Sequence, residues 1–432
     1  MLKRIKVDDV ELGMFIHHLE GSWFKHPFWK SKFLLDDART LEKLQASDVD
    51  GVVIDVSKGL DLRPKANPMI RVVAEPIAVP ARPMPTAAER LQRRRAPVAA
   101  EPRGDLRSAS PTSFGREFGL AGTVAGKSRK LISRVFLEAR LGKAVKAAQV
   151  EPVVDDIYFS IQRNPHAFNG LMRCKRDNEH VYRHALAVCA LMITLARQMK
   201  LPAQTVRDAG TAGLLMDVGI GLLPVDLGDY GGDYRNVPDE ILRQHIALGH
   251  QFLEAGGDLP QCVLDVALRH HETLDGKGYP LGLAGDGIDQ LSRMAAICDT
   301  YDSMVSDTAD GTGINPASAI QQMRYMKDMF DEDILDHLTA ALGIYPTGSV
   351  VQLASGYLAL VINQDPAEPA CPQVRVFWSL ASGSLVKPHT VTLSRELGRE
   401  TIVAAVDPRN YPIGDFPRLR QRLFEGAARD SS

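Results

Sequence analysis

The sequence predicts a multidomain chain: an all-helical bundle at the centre, a small α+β module before it and a small β appendage after it. Three observations carry that reading. At 432 residues the chain exceeds what one hydrophobic core ordinarily fills, so two or three domains are expected. From about residue 150 to 345 the apolar residues recur every three to four positions, the helical period. On either side the pattern shifts to short, β-branched, alternating runs, such as GVVIDVS at 51–57 and GSVVQLASGYLALVIN at 348–363.

Taken in order, residues 1–61 read as a module of strands with a turn at Gly13-Met14 and one helix around Ala38–Gln45. Its FKHPFWKSKF segment, Phe24–Phe33, is aromatic and basic; packing is the commoner fate of such residues, a stacking surface for a nucleotide the rarer one. Residues 62–130 read as a linker. Nine prolines between Arg63 and Ser113, many alanines and the run Arg93–Arg95 leave too little apolar surface for a core. Leu131–Val150 is expected to be a helix coupling the modules. The bundle at 150–345 is punctuated at Asn164-Pro165, Gly219–Pro224, Gly231-Gly232 and Gly276–Gly285. Residues 346–410 form the β appendage, followed by a frayed tail.

Composition narrows the function classes. A formal net charge of -2 gives no general electrostatic reason to expect nucleic acid as a partner. The five cysteines are scattered without CxxC spacing, so neither a disulfide scaffold nor a zinc knuckle follows, and reduced thiols suit a cytoplasmic protein. The N-terminal MLKRIKVDDV lacks the apolar stretch of a signal peptide. The most apolar run, Ala185–Ala196, is about half the roughly 20 residues a membrane span needs, so it predicts a buried helix and no membrane insertion.

Histidines and carboxylates concentrate in the bundle. His180 and His184 are four apart and share a helix face; His245 opens HIALGH; His270-His271 sit inside ALRHHETLDGKGYP; Asp217 lies in LLMDVG and Asp299 in AAICDTYD. Any one helical histidine is usually packed or solvated. Imidazoles and carboxylates from several helices converging inside a bundle are, however, how di-metal hydrolase sites are built.

HHETLDGKGYP, followed by LGLAGDGI and a helix carrying Asp299 and Asp302, resembles the signature half of the HD-GYP domain. The preceding SIQRNPHAFNGLMRCK, NEHVYRHALAV, LLMDVGIGLLP and RQHIALGHQFL agree with it in order and spacing, and GMFIHHLEGSWFKHPF resembles the uncharacterised module that precedes many such domains. The resemblance implies an HD-type bundle that cleaves cyclic di-GMP at iron or manganese. It assigns His184, Asp217 and Asp299 to a first metal site and His245, His270 and His271, with Asp217 bridging, to a second. It makes Asp217 the catalytic carboxylate, and Gly278, Tyr279 and Pro280 a wall of the substrate pocket.

The sequence departs from the family pattern at defined places. Met216 stands where the histidine of the HD pair belongs, and a thioether suits a hard iron or manganese site poorly. Ile220 replaces a lysine, and Thr308 to Gly311 replace a basic segment that would hold phosphates. Charge-assisted hydrogen bonds are worth roughly 1.5–3 kcal/mol each, so losing two or three would weaken substrate binding by about two to five orders of magnitude. His180, one turn from His184, is a candidate replacement ligand. These departures imply one firmly held ion, with two attainable, weak or absent turnover of cyclic di-GMP, and a regulatory role with a protein partner. An active phosphodiesterase with a variant site and a metal-free interaction scaffold are the alternatives.

Overall fold

The computed structural model describes residues 2–5, 10, 14–20, 33–35, 51–55, 110–174, 180–307, 313–326, 328–365, 367–396 and 399–430. The chain divides into two compact units, residues 1–101 and 102–432. In the first, strands β1 (Leu2–Ile5), β2 (Phe15–Glu20), β3 (Phe33–Leu34) and β4 (Gly51–Asp55) form an antiparallel sheet in the order β1-β4-β2-β3. Leu2 pairs with Asp55, and Phe15 with Leu34. Val10, Met14, Leu35, Val52 and Ile54 make its small core. The expected helix at 38–45, all but the last residue of the aromatic-basic segment, and Arg93–Arg95 lie outside the described residues.

The second unit opens with α1 (Phe114–Arg140), capped by Ser113, whose hydroxyl accepts from the Arg116 amide. The helix therefore starts inside the stretch expected to be linker. Its buried positions, among them Phe118, Ala121, Ala125, Ile132, Val135 and Phe136, keep helical spacing, but the glycines and alanines between them dilute the apolar signal. Nor is Leu131–Val150 one helix: the chain breaks after Arg140 and resumes at α2 (Ala147–Arg163). Glu117, fully buried on α1, accepts from Ser160 at 2.7 Å and from Arg163 at 2.7 and 2.9 Å, and so locks the two helices together.

A short α3 (Ala167–Met172) leads to α4 (His180–Gln198), which is buried along almost its whole length and forms the axis of the bundle. This is the apolar run the sequence marked as a core helix. Against it pack α5 (Ala203–Leu215), α9 (Gln290–Val305) and α11 (Glu332–Leu342), while the short α6 (Asp239–Leu242), α7 (Gln244–Gly256), α8 (Gln261–Arg269) and α10 (Pro316–Tyr325) complete the unit. Among the described residues, no helix is long and apolar enough to cross a membrane.

The β appendage is an antiparallel sheet of β5 (Val350–Leu353), β6 (Tyr357–Asn363), β7 (Gln373–Ser379), β8 (Ser384–Thr392) and β9 (Ile402–Ala405), ordered β8-β7-β6-β5-β9. It shares its core with the helices. Leu358, Leu360, Ile362, Phe377 and Trp378 join the apolar cluster that runs through the bundle, while Val351, Ala359, Val361 and Val374 form a smaller cluster of their own. The segment expected to fray is helix α12 (Phe416–Asp430); Phe424 stacks on Phe118 of α1 at 5.8 Å. Its many arginines mask an apolar stripe at Phe416, Leu419, Leu423, Phe424 and Ala427, which closes the unit.

Candidate metal centre

Six side chains converge from five places in the bundle. His184 comes from α4, Asp217 from the turn after α5, His245 from α7, His270 and His271 from the end of α8, and Asp299 from α9. Their ligand atoms fall into two groups, His184–Asp217–Asp299 and His245–His270–His271, each within 4.8 Å. Asp217 faces both. Its Oδ2 lies 3.3 Å from His184 Nε2, and its Oδ1 lies 3.3 and 3.5 Å from Nε2 of His245 and His270. Asp299 closes the other side, with Oδ1 2.9 Å from His184 Nε2 and Oδ2 3.7 Å from His271 Nδ1.

Local chain geometry makes this convergence possible. Helix α5 ends at Leu215, and Met216-Asp217 turn into a 3-10 segment, Val218–Leu222, that lies against α7. A Cβ built on Gly219 would stand 1.9 Å from the carbonyl oxygen of His245, so only glycine lets the two segments approach closely enough. Gly278 plays the same part in the GYP loop, where a Cβ would sit within 2.5 Å of backbone atoms of residues 271–273. The loop is pinned by Glu272, a buried carboxylate that accepts from the amides of Leu281 and Leu283 at 2.6 and 2.9 Å. Tyr279, joined to Pro280 by a cis peptide, stacks on His271 at 4.8 Å.

The imidazoles are oriented from behind. Nδ1 of His245 lies 2.5 Å from the Leu242 carbonyl oxygen and Nδ1 of His270 lies 3.1 Å from that of Val266. Donation to these carbonyls fixes the tautomer and leaves each Nε2 lone pair facing Asp217. His184 Nδ1 meets Asp302 Oδ2 at 2.8 Å. Nε2 of His184, His245 and His270 is buried with no hydrogen-bond partner, although carboxylate oxygens stand nearby. Orphaned buried nitrogens are costly; three of them aimed at one carboxylate, with a second carboxylate alongside, form a donor set that fits a divalent cation of the iron or manganese type.

Opposite charges are tightly coupled in the site. Burial would raise the Asp217 carboxyl, but the surrounding His184, His245 and His270 hold it well below the usual carboxylate range. Burial would lower His184, yet the neighbouring Tyr234 and the Asp217, Asp299 and Asp302 carboxylates lift it well above the usual imidazole value. Burial, with His270 beside it, pushes His271 down to about 3, so its ring is neutral and available as a ligand.

His180 stands apart from both groups. Its Nδ1 lies 2.9 Å from Arg183 Nη2 and 3.3 Å from Arg235 Nη2, and its Nε2 faces Asp233 at 4.0 Å. Met216 and Ile220 are buried in the continuous apolar core. Thr308 and Gly311 lie outside the described residues. Glu272, Asp302 and Tyr234 support the site without having been assigned a part from the sequence. Asp302 carried a usable signal, since it follows Asp299 by three residues on one helix and so shares its face.

Comparison with known proteins identifies the family. Residues 2–150 match a domain of unknown function, DUF3391, and residues 172–334 match the HD domain. A cyclic di-GMP phosphodiesterase of Thermotoga maritima is 32% identical over 132 residues, 30% of this chain and 36% of its own. A 3'3'-cGAMP-specific phosphodiesterase of Vibrio cholerae is 28% identical over 171 residues, 38% of this chain and 32% of its own. A cyclic di-GMP phosphodiesterase of Pseudomonas aeruginosa is 38% identical over 404 residues, 93% of this chain and 92% of its own. With that likeness sustained from the N-terminal module through the six-residue cluster, the chain belongs to the HD-GYP family of cyclic di-GMP phosphodiesterases.

Proposed function

We propose that this protein binds cyclic di-GMP over a divalent-metal centre and hydrolyses it slowly, with a signalling role that rests more on binding than on turnover. The observation that carries this reading is the division of the Asp217 carboxylate between two ligand groups. Metal ions held there would lower the pKa of an adjacent water and offset charge on the phosphoryl oxygens. His245, His270 and His271, with Asp217 beside them, would hold one ion with a fuller donor set; His184 and Asp299, again with Asp217, would hold another with fewer donors, because Met216 supplies no imidazole. His271 and Tyr279 stack, and Arg243 places a half-exposed guanidinium 4.4 Å over the Tyr279 ring, paired with Asp239 at 3.0 Å, so that a phosphate would compete with Asp239 for it.

A fully active enzyme is the second reading, favoured by the three donors that remain gathered within 4.8 Å on the His184 side. The test is hydrolysis of cyclic di-GMP by purified protein with added manganese, beside Met216→His. The variant is expected to hold more metal and to turn over faster than the parent. A parent as fast as the variant rejects the slow-turnover reading, and a parent that binds no metal leaves only an interaction scaffold. Ile220→Lys is a poor companion variant, because Ile220 is buried and a lysine there would place an unpaired charge in the core.

A further inference from the structure

Helix α12 lies beyond the stretch that matches the HD domain, yet it reaches into the neighbourhood of the metal centre. Arg420 is among the largest fully buried side chains of the protein, 2% exposed. Its Nη2 is paired with Oδ2 of Asp307, two residues past the end of α9, the helix that supplies Asp299 and Asp302. Oδ1 of Asp307 accepts from the Gly313 amide at 3.1 Å. The backbone carbonyl of Asp307 accepts from Arg183 at 3.2 Å and from Arg235 at 3.1 Å. These two arginines flank His184: Arg183 precedes it in the chain, and Arg235 follows Tyr234, whose ring centroid is 6.0 Å from that of His184. Arg235 is also held by Asp233 at 2.6 and 2.8 Å.

A buried arginine–carboxylate pair is a weak source of net stability, because apolar residues of similar volume serve about as well. What this pair does that an apolar one cannot is occupy the Asp307 carboxylate. Without Arg420 that buried charge would fall to Arg173, which together with Arg420 holds the Asp307 carboxyl below the usual carboxylate range, or to Arg183 or Arg235, which sit on its carbonyl. Any of these exchanges would turn Asp307 and the carbonyl that Arg183 and Arg235 share, and so shift the backbone on one side of His184.

We propose that Arg420 is a positioning residue for the His184–Asp217–Asp299 side of the metal centre, so that the docking of the C-terminal helix sets metal affinity there. The proposal rests on the metal-binding reading above, and the two fail separately in one experiment. Manganese is titrated into the full-length protein and binding is followed by calorimetry and by metal content after desalting, for the parent, Arg420→Met and the double variant Arg420→Met/Asp307→Asn. A site displaced by a fraction of an ångström loses affinity readily, so Arg420→Met is expected to weaken one manganese equivalent by about tenfold while the other is unchanged. The double variant removes the stranded carboxylate and is expected to recover affinity to within about threefold of the parent.

A parent that binds no manganese sinks the metal reading and this proposal with it. A parent that binds while Arg420→Met binds equally well, with or without a lower melting temperature, overturns only the proposal. So does a double variant no better than the single one. If Arg420→Met does not fold, the double variant decides: affinity within threefold of the parent supports the proposal, and a tenfold loss overturns it.

Discussion

Replacing Gly219 with alanine tests the claim that backbone contact, as much as ligand identity, builds the metal centre. The new methyl would stand 1.9 Å from the His245 carbonyl oxygen and 2.6 Å from the Gly249 amide nitrogen. Both obstacles are backbone atoms, so no side-chain rotation relieves the clash. To reach ordinary van der Waals contact, α7 or the 3-10 turn must withdraw by about 1.5 Å. Functional groups must be held to within about 0.5 Å, so the shift is some three times the tolerance. It acts directly between Asp217, two residues before the glycine, and His245 on the opposing helix. Overpacking of this kind costs about 1–3 kcal/mol, a few degrees in melting temperature for a unit of this size. The measurements are metal content after purification and the melting temperature with and without manganese. The variant is expected to remain folded, to melt slightly lower, and to lose most of the stabilisation that manganese gives the parent. A Gly219→Ala protein with parental metal content and the same manganese-induced shift would refute the reasoning, because the close approach would then be incidental to metal binding.

Glu272→Ala leaves the Leu281 and Leu283 amides without their acceptor, so the GYP loop is expected to be cut faster in limited proteolysis and to hold Tyr279 less firmly on His271; an unchanged cleavage rate would exclude a pinning role. Arg163→Met strands the fully buried Glu117 and is expected to cost about 3 kcal/mol in urea unfolding, whereas the pair Arg163→Met/Glu117→Met should cost much less. Burial pushes His166 down to about 4, so the folded protein keeps it neutral while the unfolded chain protonates it near 6.5. Stability from this group is therefore intact at neutral pH and lost as pH falls from about 6.5 towards 4, by roughly 2 kcal/mol at pH 5. Unfolding curves at pH 7 and pH 5 should draw closer together in His166→Gln.

The sequence by itself determined the parts whose signal is local. The period of the apolar residues was enough to mark α4 as a buried helix and residues 348–363 as strands, because burial of one face imposes its repeat on the chain. The candidate cluster was equally legible: His184, Asp217, His245, His270, His271 and Asp299 stand in motifs whose order and spacing identify the family, and their side chains meet in space. Helix α1 and helix α12 were misjudged for one reason. Each is rich in small or charged residues, and the apolar stripe of each gains its meaning from distant partners, among them the other helix, a little over 300 residues away, where Phe118 and Phe424 stack. Tertiary structure alone decided which groups stand behind the ligands. That His180 answers to Arg183 and Arg235, that Asp302 holds His184, and that Arg420 occupies Asp307 follow from contacts spanning 55 to 118 residues, apart from the adjacent-turn pair of His180 and Arg183. Such pairings leave no periodic trace, because a hydrogen bond or ion pair constrains two positions and not the rhythm of the residues between them.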